Sequence, residues 1–169
     1  MQARTAQDSV NDSTTLELPA DREILITRSF NAPLRLVFRA MNEPELVSKW
    51  WSPASKGKMT ECKIDFRVGG SWRFAMRTHD GMDVGFHGKY LEIDAPHRVV
   101  NTEIFDPFPD AAATVTVTLT ENGGRTTMTS RSTYPSKEVR DQVIATGMEE
   151  GMRESMVQLS AVVESLKQG

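Results

Sequence analysis

Hydrophobic positions change their period three times along this chain, and the changes divide it. REILITRSF (22–30) alternates, with Ile24, Ile26 and Arg28 on one face and Leu25, Thr27 and Ser29 on the other, which predicts a strand. In NAPLRLVFRAMN (31–42), Leu34, Val37, Phe38 and Met41 recur at helical spacing, Pro33 suits the first turn and Asn31 is placed to cap. A second short helix is predicted from Pro44 to Trp51, ending before Pro53. Alternation then returns and predicts strands near 58–66, 71–79, 83–94, 97–106, 112–121 and 125–134. Between them stand Gly69-Gly70, Asp80-Gly81, Ala95-Pro96, a segment over 106–110 with two prolines, and Asn122-Gly123-Gly124. Connections this short predict antiparallel hairpins rather than helical crossovers. ATVTVTLT (113–120) is the clearest strand: Val115, Val117 and Leu119 share one face and four threonines the other, so the sheet has one buried and one wet side.

From Pro135 the period becomes helical. Ser136 is placed to cap, and Ile144, Met148, Met152, Met156, Leu159, Val163 and Leu166 form one apolar stripe on a predicted helix of about thirty residues. At 1.5 Å per residue it spans roughly 45 Å, too long to stand alone in water, so it must lie in the concave face of the sheet. Gly147 and Gly151 put a small-residue stripe on it, for close approach to the sheet or for ligand room. The expected fold is α+β: a curved antiparallel sheet of about seven strands wrapped around a long C-terminal helix, with two short helices after the first strand.

Composition narrows the partners. With 169 residues, 38% hydrophobic and 25% charged, the chain suits one globular domain, and a net charge of −3 gives no reason to expect nucleic acid. Cys62 is the only cysteine, so an internal disulfide and a cysteine-only zinc site are excluded, and a reducing cytoplasm is expected. No apolar run approaches the length of about 18 residues needed to span a membrane. Residues 1–21 are polar, lack the apolar stretch of a signal peptide, and are read as a disordered tail before a domain over 22–169.

Several motifs in this order carry a resemblance: RSFNAP (28–33), VFRA (37–40), PELVSKWWSP (44–53), DFRVGGSW (65–72), DG (80–81), GKYLEI (88–93), PHRVVNTE (96–103), VTVTLT (115–120) and GMEEGM (147–152). The sequence resembles the START-like, SRPBCC superfamily of helix-grip (Bet v 1-like) domains. Within it, the chain is similar to the group homologous to the C-terminal domain of the Hsp90 ATPase activator Aha1, from about residue 22 to 167. The resemblance implies a curved sheet around the long helix and an apolar cavity between them. Members bind lipids, hormones or polyketides, and a few are cyclases or hydratases. Met41 and Met152 stand where the group commonly has tryptophan, which implies a more pliable interior. The Asn- and Trp-rich motif of the activator's N-terminal half has no counterpart here.

The candidate chemistry lies on the buried face. Trp72, Phe74, Met76, Phe86, Tyr90, Val117, Met128, Met148 and Met152 form an apolar set facing the helix, with Val115, Leu119 and Trp51. A ligand cavity and a packed core use the same residue types, so both readings stand. Glu103 lies mid-strand between apolar residues and is expected to seek Arg73, Arg98 or a ligand donor. His79, His87 and His97 show no metal-ligand spacing, and neither metal nor cofactor is expected. In SKWWSP (48–53), Trp50 follows Leu46 and Val47 at helical spacing and should anchor the core. Trp51, about 100° around the helix, is expected at the cavity mouth as a gate. The leading expectation is binding of a small hydrophobic ligand by a monomer or homodimer. Two alternatives accompany it: a cyclase- or hydratase-type enzyme using Glu103, Tyr90, His87 or Arg73, and a stress-related protein that interacts with partners as the Hsp90 activator does.

Overall fold

The computed structural model describes residues 14–168. Its strands are β1 (Thr14–Glu17), β2 (Glu23–Phe30), β3 (Gly57–Ile64), β4 (Ser71–Thr78), β5 (Asp83–Asp94), β6 (Arg98–Phe105), β7 (Ala113–Asn122) and β8 (Arg125–Thr133). Helices α1 (Leu34–Asn42) and α2 (Pro44–Val47) follow β2, and α3 (Lys137–Ala145) and α4 (Met148–Lys167) follow β8. The strands form one antiparallel sheet in the order β1-β2-β8-β7-β6-β5-β4-β3. From β3 to β8 the chain is a plain meander, because each turn is too short for anything else. The meander ends by setting β8 against β2, and the sheet curves around α4.

The strand count is eight, one more than expected. Thr14–Glu17 pair with Leu25–Arg28 as an added edge strand, and the Arg140 guanidinium donates to the carbonyls of Ala20 and Glu23 at 2.9 and 3.1 Å. Backbone pairing and a buried cation thus hold part of the segment read as tail, which polar composition alone does not reveal. The remainder of that reading, residues 1–13, lies outside the described residues.

The C-terminal helix is also two helices. Gly147 adopts φ +80°, a left-handed conformation that ends α3 and starts α4, so it belongs to no helical stripe. Ser136 does cap α3, its hydroxyl accepting from the Val139 N–H at 3.2 Å. Asn31 does not cap α1. Pro33 takes that position, and the carboxylate of Glu121 on β7 accepts from the Leu34 N–H at 2.6 Å, where the helix N-terminus favours an anion. Helix α2 stops at Val47 and continues as tighter turns through Trp50.

Two apolar clusters form the interior. The larger joins Phe30, Val37, Val47 and Trp50 to Leu119, Met128 and the Leu159–Val163 face of α4, and the smaller joins Trp72, Tyr90 and Val99. A bulge at Leu91 shifts the β5–β6 register, so Tyr90 pairs with Asn101 and Ile93 with Val99. Tyr90 and Ile93, three apart, therefore both face inward while Leu91 is exposed.

Candidate functional site

A cavity of about 500 Å³ lies where the two clusters meet, with walls from β2, β4 to β8, the α1–β3 segment and α4. All ten residues expected to contact a ligand lie on its wall: Trp51, Trp72, Phe74, Met76, Phe86, Tyr90, Val117, Met128, Met148 and Met152. Strand periodicity explains this. Trp72, Phe74 and Met76 alternate on β4, and Phe74 pairs with Phe86 on β5, so the rings converge. Trp51 meets Phe74 and Phe86 edge-on at 5.6 and 5.8 Å between ring centroids.

The tryptophan doublet is held from α4. Gln158 donates to the carbonyls of Trp50 and Ser52 at 2.8 and 2.9 Å, and the Ser155 hydroxyl donates to that of Trp51 at 2.8 Å. Gln158 and Glu154 in turn accept from the amides of Ala54 and Ser55 at 2.9 and 2.8 Å. These bonds satisfy the backbone left unpaired after α2 ends. The Trp50 indole donates to the Ala40 carbonyl at 2.8 Å and is buried, whereas Trp51 is half-buried against the cavity. Pro53 lies beside Gly151, where an added Cβ would meet the proline ring at 3.6 Å.

Gly88 makes a second close approach. A Cβ there would strike the Thr102 backbone and the Trp72 indole. Its absence lets the Trp72 Nε1–H cross β5 and donate to the Thr102 carbonyl at 3.1 Å. The Asn101 amide donates to the same carbonyl at 3.0 Å.

The four acid–base candidates divide between the faces of the sheet. Arg73 and His87 lie on the outer face, where Arg73 grips Asp106 with two bonds of 3.0 and 2.8 Å and His87 meets it at 2.9 Å. Their partner takes the charge: Arg73 first, then His87, holds the Asp106 carboxyl down to about 2. Neither lines the cavity. Alternation decides this, since Trp72 and Phe86 point inward and their chain neighbours cannot.

Glu103 and Tyr90 do line the cavity. The ion pair expected for Glu103 does not form, because Arg73 is engaged by Asp106 and Glu61, and Arg98 by Glu92 at 3.1 Å. Arg73 lies on the outer face, away from the inner face that Glu103 shares with Asn101 and Val99. Protein surrounds Glu103, and its accessible surface opens on the cavity. Burial raises its carboxyl from 4.5 to about 7, and burial likewise holds the Tyr90 phenol above its ordinary range. Tyr134 lies close by; burial, then the Glu103 charge, pushes its phenol up to about 12. Asn101 and Ser130, also on the wall, were not singled out from sequence, although alternation from Val99 and from Met128 puts both on the inner face. Among the described residues, no three His, Cys, Asp or Glu side chains converge on a metal position, and no helix is long and apolar enough to cross a membrane.

A curved antiparallel sheet gripping a C-terminal helix, with an apolar cavity between, defines a helix-grip domain of the SRPBCC, START-like superfamily. A family model described as "Activator of Hsp90 ATPase homolog 1-like protein" matches residues 31–164, and the chain belongs to that family. Solved structures share the fold. A Rhodobacter sphaeroides protein is 24% identical with a TM-score of 0.83, over 90% of this chain and 99% of that one. A Mycobacterium smegmatis protein is 28% identical with a TM-score of 0.79, over 88% and 96%. One from Staphylococcus epidermidis is 29% identical with a TM-score of 0.75, over 89% and 94%. Among curated proteins, no sequence match is found.

Proposed function

We propose that the protein binds a small, largely apolar molecule between the sheet and α4. The observation that carries this reading is the cavity of about 500 Å³ walled by aromatic rings and methionine thioethers, within the range of small-molecule sites. Met41, Met76, Met148 and Met152 give the wall side chains that adapt to a ligand's shape. The free thiol of Cys62, raised above its ordinary range by burial and then by Glu45, suits a reducing cytoplasmic setting. All three tryptophans of the chain lie on the cavity wall, so their emission reports occupancy directly. Titration with an environment-sensitive naphthalene dye should change tryptophan emission and saturate at one site per chain. Unchanged emission together with a dry, collapsed interior in a crystal structure would sink the reading.

A second reading, acid–base catalysis on the bound molecule, is favoured by one observation. Glu103 combines a place on the cavity wall with a carboxyl that titrates near neutrality, as a general base requires. His87 and Arg73 have no part in it. The reading as a protein-interaction module has less support, because the exposed large apolar residues Leu18, Val68, Met82, Leu91 and Phe108 are distributed over five separate segments.

A further inference from the structure

The wall of this cavity carries one inward-facing carboxylate without a partner. The two arginines expected to pair with it are engaged elsewhere: Arg73 by Asp106 and Glu61, and Arg98 by Glu92. Several hydrogen-bond donors on the wall are engaged as well. Trp72 and Asn101 both donate to the Thr102 carbonyl, Asn42 to that of Phe38, and Ser155 to that of Trp51. Among the described residues, nothing bonds Glu103. A carboxyl so placed costs stability unless something entering the cavity meets it. The rest of the wall suits one class of visitor, because Trp51, Trp72, Phe74, Phe86 and Tyr90 line it with aromatic rings, whose faces attract a cation.

We propose that the cavity takes an apolar molecule bearing a basic nitrogen, whose ammonium N–H donates to the Glu103 carboxylate while its apolar body lies among the aromatic rings. The inference rests on the ligand-binding reading above and assigns the chemical class of the ligand. A neutral alcohol of the same shape leaves the carboxylate without a counter-charge. A carboxylic acid sets a second negative charge against it, so the order of affinity is amine, alcohol, acid.

Binding should also move a proton. The other titratable or charged groups on the wall are Tyr90 from β5, His97 from the β5–β6 turn and Arg98 from β6, and Tyr134, just after β8, lies beside Glu103. Helix α4 and strands β2, β4, β7 and β8 bring no charged side chain to the wall. Tyr90 and Tyr134 stay neutral near pH 7, since burial raises both phenols. Glu103 is the group that changes state: an arriving ammonium drives off the proton held by the neutral fraction.

The test uses the full chain and three probes with one apolar body: phenylbutylamine, phenylbutanol and phenylbutyrate. Isothermal titration near pH 7, in two buffers of different ionisation enthalpy, reads affinity and proton release together. The expected result is amine binding at least about tenfold tighter than alcohol, the acid weakest, and release of about half a proton per amine bound. In Glu103→Gln the amine-to-alcohol ratio should fall to about one and the proton release should vanish. A merely structural glutamate would move neither quantity. If the alcohol binds and the amine binds no tighter, or if Glu103→Gln keeps the amine preference, the inference falls while the ligand-binding reading stands. If the wild type binds none of the three probes and no dye, both fall.

Discussion

Adjacent tryptophans in this chain have different environments, and that difference is testable residue by residue. Trp50 is buried, bonded to Ala40 and packed against α1 and α4, whereas Trp51 rests half-exposed on Phe74 and Phe86 at the cavity. Trp50→Ala should cost about 3–5 kcal/mol in urea unfolding, and Trp51→Ala under about 2 kcal/mol. Trp51→Ala should also weaken dye binding by about tenfold, whether the ring acts as a wall or as a gate. Equal losses of stability from the two variants would refute the division. Glu103 makes a second residue-scale prediction, through its carboxyl raised from 4.5 to about 7. Between those values the folded state keeps a proton that the unfolded chain has released, so stability falls as pH rises. The fall should level off above about pH 7 and amount to something on the order of 3 kcal/mol. Asp106, held near 2, acts in the opposite sense but only at more acid pH, so the two windows do not overlap. Glu103→Gln should flatten the near-neutral slope and raise the midpoint of unfolding at pH 8; a slope identical to wild type would exclude the assignment.

At the scale of elements, two glycines that look alike in sequence do opposite things. Gly147 sits at φ +80° with no atom within 4 Å of a would-be Cβ, so its requirement is conformational and not steric. Gly147→Ala should destabilise by about 1 kcal/mol through left-handed strain. Gly151 is an ordinary helical residue, and an added methyl would meet Pro53 at a comfortable 3.6 Å. Gly151→Ala should therefore stabilise by about 0.5–1 kcal/mol, because alanine restores helix propensity. It should also reduce ligand affinity, since Gly151 lines the cavity. Denaturant midpoints of the two variants moving in the same direction would contradict this account. Helical periodicity runs straight through Gly147, so the break between α3 and α4 was invisible to it. The bulge at Leu91 escaped notice in the same way, because one inserted residue leaves the alternation on either side intact.

On the scale of the whole molecule, Arg28 ties three parts together. It is 1% exposed on the inner face of β2, bonded to Thr14 of β1 and, at 3.1 and 2.7 Å, to Ser160 of α4, with its guanidinium 5.6 Å from the Phe30 ring. Burial lowers its pKa to about 10, and among the described residues no carboxylate is bonded to it. Arg28→Ala should cost about 3 kcal/mol and increase hydrogen exchange in both β1 and the middle of α4, whereas a purely local role would disturb β2 alone. Alternation in the sequence placed Arg28 inward with Ile24 and Ile26 but did not supply its partners. The same contrast runs through the molecule. Local period and turn chemistry determined the order of elements, six strands of the meander to within a residue or two, and which side chains face inward. Those are properties of neighbours in the chain, set by backbone geometry that repeats every two residues or every 3.6. The tertiary structure alone decided that Thr14–Glu17 become a strand, that Gln158 and Ser155 hold the tryptophan segment, and that Glu103 faces a cavity while Arg73 and Arg98 are engaged by other carboxylates. Each depends on which distant segments meet, and a residue's charge or polarity leaves its partner undetermined until the sheet has closed around the helix.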